Sequence, residues 1–261
     1  MIQNYESKYW GLIYDQMMEQ DLSGWLENNQ AYYRSRLHDV SGPVLDCACG
    51  TGLIMLPLLA NGFDVTGFDT SESMLSRLRR KGLEQGFSDI DARVSRQSLQ
   101  AFRYSRQFEA ATLPSNSFVM LTSRRDQIAC LQNIQRHLVS GGMLLLDLRL
   151  EEIGTLEQGD STFAGSWKTW THPDTGRPIR QRVDQVGRDP ANRLTFDRCY
   201  IEYESDTEEF PMTMRSVSFD EFQLLLGLAG FTRWDVWGGP NEQPFVLSND
   251  GTVSYWVAYK H

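Results

Sequence analysis

The sequence predicts an α/β protein built on a doubly wound, mostly parallel sheet, and three observations predict it. Between residues 43 and 150, short apolar runs alternate with helix-periodic stretches, as successive βαβ units do. The first run ends in a loop of small residues, Asp46-Cys47-Ala48-Cys49-Gly50-Thr51-Gly52, at a strand-to-helix junction. Beyond residue 150 the runs alternate with a period near two and are broken by turn signals, which is the pattern of antiparallel strands.

Before the sheet, Tyr9, Trp10, Ile13, Tyr14 and Met17 recur at helical spacing, and Trp25, Tyr32, Tyr33 and Leu37 follow in a second helical run closed by Gly42-Pro43. Val44–Cys49 reads as the first strand and Leu53–Ala60 as the first helix of the alternating region, stopped by Asn61-Gly62. Phe63–Phe68 is the second strand and ends at Asp69. Ser71 is placed to N-cap a helix from Met74 to about Gln85. Ala92–Ser95 and Phe108–Leu113 are the third and fourth strands. A helix from Arg124 to Leu138 is predicted to end at Gly141-Gly142, and Met143–Leu148, apolar enough for burial on both faces, is the fifth strand. The later strands are expected at Trp167–Trp170, Ile179–Val183 and Leu194–Tyr203, separated by Asp174-Thr175-Gly176 and Asp189-Pro190. A helix over Phe219–Leu228 and strands over Phe231–Trp237 and Thr252–Tyr259 complete the chain. Four segments follow: a helical 1–42, an α/β unit 43–150, an antiparallel β insert 151–215, and a closing helix and two strands 216–261.

Composition narrows the function. In 261 residues, 41% are hydrophobic and 23% charged, enough to bury a core. Lys+Arg number 25 against 34 Asp+Glu, a net charge of −9, which argues against a nonspecific nucleic-acid binder. There is no apolar run of about 18 residues to span a membrane. Met1–Lys8 lacks the basic and apolar regions of a secretory signal. Cys47, Cys49, Cys130 and Cys199 are too few for a disulfide framework, so a cytoplasmic setting is expected.

The glycine loop brings backbone close to a ligand and aims helix N–H groups at it. A triphosphate loop needs Gly-Lys-Ser/Thr, and Gly52 is followed by Leu53. A dinucleotide fingerprint would put its third glycine at Met55, which disfavours NAD or FAD. S-adenosylmethionine has no pyrophosphate and does not require that glycine.

With these motifs the sequence resembles the class I S-adenosylmethionine-dependent methyltransferases. Their Asp-x-Gly-x-Gly-x-Gly motif stands here as Asp46 to Gly52, with Ala48 in place of the first glycine. Phe68-Asp69-Thr70-Ser71, Met74-Leu75 and His137-Leu138-Val139-Ser140-Gly141-Gly142 extend the match. The resemblance covers roughly residues 43–150 together with the last helix and two strands. It implies a Rossmann-like sheet of seven strands, a helical N-terminal lid, S-adenosylmethionine as cofactor, and methyl transfer to a small-molecule acceptor, an amine being favoured. The β insert resembles the layer over the active site in small-molecule N-methyltransferases, including aminosugar and glycine enzymes.

Roles follow for individual residues. Asp69, closing the second strand, is expected to accept hydrogen bonds from both ribose hydroxyls, or else to cap the next helix. Asp46 orients the loop or reaches the cofactor ammonium. Ala48 is tolerable at negative φ; Gly50 and Gly52 shape the loop, and Thr70 and Met74 follow the ribose position. Many family members carry an acidic residue after the third strand for the adenine amino group. This chain has Ser95-Arg96-Gln97-Ser98-Leu99-Gln100, so the Ser98 hydroxyl and the Leu99 backbone take that place. Leu113 backbone lies near the methionine part. Tyr14, on the lid, meets the cofactor or packs in the core. Ser115, Asn116, Ser117, Trp167 and His172 are candidates for the acceptor. Cys47 and Cys49 read as buried small hydrophobes and not as metal ligands, and His137 as a helix C-terminal cation.

No catalytic base is assigned, because in-line displacement from a sulfonium needs mostly positioning and desolvation. Arg77, Arg79, Arg80 and Lys81 read as a solvated helix face. Arg177, Arg180 and Arg182 could meet an anionic acceptor. The insert aromatics Trp167, Trp170, Tyr200 and Tyr203 wall the acceptor pocket or form a homodimer face. Two alternatives use the same fold: aminopropyl transfer, or cofactor binding without turnover. The first would want acidic groups around Thr51, where the sequence has small residues.

Overall fold

Strands β1 (Val44–Cys47), β2 (Val65–Asp69), β3 (Val94–Arg96), β4 (Phe108–Leu113) and β5 (Leu138–Leu150) run parallel in one sheet. Two later strands, β10 (Arg233–Trp237) and β11 (Thr252–Tyr259), complete it in the order β10-β11-β5-β4-β1-β2-β3, with β11 antiparallel to both neighbours. In this computed structural model, residues 7–20, 22–150, 165–246 and 252–261 are described. Residues 1–6 of the stretch read for a secretory signal and residues 151–164 of the expected insert lie outside them. All four residues of β1 are buried, as a central parallel strand requires. The strand order reverses between β1 and β4, the switch point outside which ligands bind in such sheets.

Helices cover both faces. One apolar layer joins Leu45, Phe68, Ala111, Leu144 and Leu146 to α6 (Arg124–His137) and α7 (Phe219–Leu228). The other joins Val44, Val65 and Leu145 to α2 (Ser23–Arg36), α3 (Met55–Ala60) and α4 (Glu72–Glu84). Ser71 caps α4 as expected, accepting from the Met74 amide at 3.4 Å. The short α5 (Ile90–Arg93) is too brief to show a period in sequence.

The glycine pair at 141–142 does not end α6. The helix stops at His137, Leu138 turns extended (φ −81°, ψ 146°), and both glycines lie inside β5. A Cβ on Gly142 would sit 3.0 Å from the Glu109 carbonyl, so close strand approach is what glycine provides there. His137 is structural, though not as a cation. The Tyr104 amide can only donate, so Nε2 accepts it at 3.2 Å, and Nδ1 carries the proton to the Asn133 carbonyl at 2.8 Å.

A second sheet of four antiparallel strands follows in the order β6-β7-β8-β9. These are β6 (Lys168–Thr171), β7 (Pro178–Asp189), β8 (Leu194–Tyr203) and β9 (Asp206–Arg215). The sequence did not announce β9: its first half is acidic and Pro211 interrupts it, which an edge strand tolerates. The inner face of this sheet, with Trp170, Ile179, Val183, Cys199, Ile201 and Phe210, packs on Trp10, Ile13 and Met17 of α1 (Trp10–Gln20).

The basic face of α4 is a latch as well as a solvated surface. Lys81 Nζ lies 2.7 Å from Asp15 Oδ2 on α1, Arg77 Nε is 3.6 Å from the same oxygen, and Thr51 Oγ1 donates to Asp15 Oδ1 at 2.5 Å. Burial pulls the Lys81 ammonium below its ordinary pKa while Asp15 holds it up. Arg80 pairs with Asp174 in the β6–β7 turn. Contact is closest at Gly11, where a Cβ would come within 2.6 Å of the Ser73 carbonyl. At its start the segment is tied to β9, with the Tyr9 hydroxyl donating to Asp206 Oδ2 at 2.6 Å.

Removing one member of a mostly buried ion-pair cluster strands the others. Asp15→Ala should therefore cost about 2–3 kcal/mol in chemical denaturation and speed amide exchange in α1. Unchanged stability and protection would refute the latch.

Candidate functional site

Three carboxylates stand at the carboxyl side of the parallel sheet. Asp46 is the third residue of the buried strand β1 and is 0% exposed. The Thr112 hydroxyl of β4 donates to its Oδ1 at 2.7 Å, and its Oδ2 has no hydrogen-bond partner among the described residues. Burial pushes this carboxyl up to about 7, against the pull of Thr112 and of the Met55 backbone amide. Asp69, half-buried at the end of β2, accepts the Gly50 amide at 3.0 Å on Oδ2 and the Ser71 amide at 2.9 Å on Oδ1. Burial raises its pKa while those amides lower it. It thus braces the glycine loop and the approach to α4, and each oxygen keeps a lone pair for a further donor.

Sequence reasoning missed the third, Asp147. It lies in an apolar run of β5 and is 0% exposed. Its Oδ1 accepts from the Tyr33 hydroxyl at 2.6 Å and the Ser115 amide at 2.7 Å. Its Oδ2 accepts from Trp25 Nε1 at 3.0 Å and the Asn116 amide at 3.1 Å. Desolvation raises its pKa and these donors lower it. One carboxylate thereby fixes α2 and the loop after β4, where Ser115 and Asn116 both hold left-handed backbone (φ 57° and 56°). A single aspartate in an otherwise apolar strand was the available signal.

The glycine loop departs from expectation at one position. Ala48 has φ 55°, not a negative value, so the side chain sits where glycine is unstrained. Gly50 (φ 53°) has nothing within 4 Å of where a Cβ would stand, leaving open space beside the loop. Gly52 (φ 84°) serves packing, since a Cβ there would press within 2.9 Å of Leu78. Cys47 and Cys49 are buried, and burial pushes both thiols up, as suits small apolar side chains.

Around these groups the structure gathers some expected residues and separates others. Burial pushes the half-buried Tyr14 phenol up to about 12; Ser115 beside it pulls the other way, while Asp147, Asp69 and Asp15 add to the rise. Ser98 opens the turn after β3, where the Gln97 amide donates to the Asp69 carbonyl at 3.0 Å; the Leu99 side chain is in the core. Leu113 is also a core side chain, so only its backbone faces outward. Thr70 is exposed, its carbonyl accepting from Arg96, and Met74 packs among the α1 residues. Asn116 Oδ1 accepts the Arg149 amide at 3.0 Å and Ser117 Oγ donates to the Pro114 carbonyl at 2.6 Å, so both side chains hold the loop itself.

Trp167 lies on the outer face of the second sheet, against Arg180 and Arg182 at 4.5 and 5.1 Å; Trp170 is the tryptophan on the inner face. His172 stacks on Tyr203 at 4.9 Å in the β6–β7 turn, its Nδ1 accepting the Asp174 amide at 3.1 Å.

The arrangement can hold a cation and a diol. The orphaned Asp46 oxygen and the open face of Gly50 suit a positively charged ligand in close approach, and the remaining lone pairs of Asp69 suit hydroxyl donors. That donor set fits S-adenosylmethionine, with its ammonium, sulfonium and ribose.

Known proteins agree. A family described as a methyltransferase domain matches residues 44–142. The protein YqeM of Bacillus subtilis (strain 168), described as a methyltransferase, is 33% identical over 206 residues, covering 73% of this chain and 77% of that one. A dTDP-3-amino-3,4,6-trideoxy-alpha-D-glucopyranose N,N-dimethyltransferase of Streptomyces venezuelae is 28% identical over 114 residues, 44% of this chain and 45% of that one. The crystal structure of an S-adenosylmethionine-dependent methyltransferase from Clostridium acetobutylicum ATCC 824 superposes with a TM-score of 0.75 at 15% identity, covering 95% of this chain and 98% of that one.

At Ala48 the left-handed backbone costs roughly 1 kcal/mol relative to glycine. Ala48→Gly should raise stability in thermal or denaturant unfolding by about 0.5–1 kcal/mol. A loss of stability would show that the methyl group packs usefully.

Proposed function

The chain belongs to the class I S-adenosylmethionine-dependent methyltransferases, and we propose that it methylates the nitrogen of a small-molecule amine. One observation carries the acceptor class. Asp46, Asp69 and Asp147 are desolvated carboxylates at one crevice, and among the described residues none is bonded to a lysine or arginine. An uncompensated negative crevice favours cationic ligands, which suits both a sulfonium donor and an amine acceptor. The Streptomyces venezuelae relative that acts on an amino sugar supports the same reading. The net charge of −9 speaks for a small molecule over a nucleic acid. Four buried free cysteines suit a cytoplasmic setting.

The residues divide the work. Asp69 holds the ribose hydroxyls, and Ser98 and the Leu99 backbone take the adenine edge beside Thr70 and Met74. Asp46, through its free oxygen, faces the ammonium, and the backbone of Ala48, Gly50 and Leu113 lines the methionine part. When bound, the cofactor supplies a methyl group on a sulfonium, open to in-line attack by an amine lone pair. Tyr14 and the N-terminal helices act as the lid, excluding water so that reactants meet in fixed dipoles. Asp147 sets the backbone of Ser115, and through it the acceptor side, without touching a reactant.

The reading is tested with cyclohexylamine, glucosamine and glycine against cyclohexanol, glucose and glycolate, following S-adenosylhomocysteine release. Turnover of an amine with none of the matched alcohols is expected; turnover of alcohols alone would overturn it. A second prediction concerns Asp46. A cation beside it favours the carboxylate, so its pKa falls from about 7 on binding and protons leave. Calorimetry near pH 7 in buffers of different ionisation enthalpy should show about half a proton released, and affinity should rise from pH 6 to 8. Asp46→Asn should abolish the Asp46-linked part of that release. Identical proton release in the variant would remove Asp46 from the ammonium.

A further inference from the structure

The inner face of the four-stranded sheet carries two apolar patches with a polar side chain between them. The first patch, including Cys199, Ile201 and Phe210, packs on α1. The second begins at Met214 of β9, which packs on the layer containing Phe118 and Val119 of the single helical turn Ser117–Met120 after β4. Cross-strand pairs fix what lies between. Cys199 pairs with Phe210, Asp197 with Met212, and Thr195 with Met214, so Asp197 shares the inner face and falls at the seam of the two patches. That seam lies between α1 and the turn that follows Ser115 and Asn116, the two elements to which the function proposed above gives the lid and the acceptor side.

Asp197 is 4% exposed, and its Oδ1 has no hydrogen-bond partner among the described residues. Desolvation pushes its carboxyl up to about 6, with the charge of Arg188 pulling the other way. A buried carboxylate with an unpaired oxygen is a cost that folding alone does not explain. A cationic hydrogen-bond donor would relieve it.

We propose that Asp197 is the acceptor-binding carboxylate, which takes the ammonium of an aliphatic amine at the seam beneath β8. This deepens the amine reading above and rests on it. Met212 and Met214 flank the site with flexible thioether side chains, which adapt to an apolar or mixed body carrying the amine. Asp197 orients the amine by accepting its N–H, and as a carboxylate it takes up the proton an ammonium must lose before its lone pair can attack. The same geometry rejects a matched alcohol, which brings no charge to balance Asp197.

Asp197→Asn separates this role from a structural one. Removing a charge that only a ligand satisfies should leave the melting temperature unchanged or raise it by about 2–4 °C. The cofactor Kd from calorimetry should stay within about twofold. With the amine of the cyclohexylamine, glucosamine and glycine panel that the unaltered enzyme turns over best, KM should rise by about tenfold or more. An unchanged KM and kcat in the variant overturns the Asp197 assignment and leaves the amine reading standing. A lowered melting temperature also overturns it, because the carboxylate would then be holding the sheet. Absence of turnover of every amine by the unaltered enzyme overturns both.

Discussion

The position of the crevice depends on the bonds that Asp147 makes. A carboxylate can accept several hydrogen bonds, and Asp147 uses that capacity on four groups from two parts of the chain. Two come from α2, and two are backbone amides of the loop after β4. The loop needs this support because Ser115 and Asn116 are both left-handed, a conformation that non-glycine residues hold only when their surroundings enforce it. The indole and phenol of α2 need it too, because a buried Trp N–H or Tyr O–H without a partner carries the cost of its desolvation. Helix α2 and the loop after β4 are therefore set by one group, and neither can shift without stranding donors.

Buried carboxylates without cationic partners gather at the site residues. Asp46, Asp69, Asp147 and Asp197 all have carboxyls raised by burial, and none has a bonded lysine or arginine among the described residues. Replacing such groups by neutral isosteres would relieve desolvation. Asp46, Asp69 and Asp147 persist together with strained backbone at Ala48, Ser115 and Asn116, on the carboxyl side of the parallel strands. Other partly buried acidic groups are paired: Asp64 with Arg93 and Arg106, Glu221 with Arg124 and Arg215. Buried negative charge left without a cation is the electrostatic form of a site that expects positive ligands.

The parts legible in the sequence are those written in local pattern. Strands β8 and β11 and helix α7 were placed at their observed bounds, because alternation and periodicity are short-range signals. Asp69 stood out because it closes a strand next to the glycine loop. Asp147 did not, because its meaning lies in partners 114, 122 and 32 positions away, and no local spacing reports those. The basic run on α4 read as solvated for the same reason: Asp15, which buries Lys81, is 66 positions earlier. At Ala48 the residue identity pointed the wrong way. An alanine suggests negative φ, but the loop imposes the conformation and the residue bears the strain.

Helix α1 joins the two halves of the site. Through Asp15 it meets Thr51 in the glycine loop and Lys81 on α4; through Trp10, Ile13 and Met17 it meets the inner face of the second sheet. Its polar contacts reach the glycine loop and its apolar contacts the sheet that carries Asp197. Moving α1 away from the loop separates Asp15 from a buried ammonium and exposes the apolar patch in the same motion, and both are unfavourable. The costs add in one direction, so the segment favours the closed arrangement even before a ligand contributes. In the lid role proposed for α1, cofactor exchange and acceptor entry would share one gate.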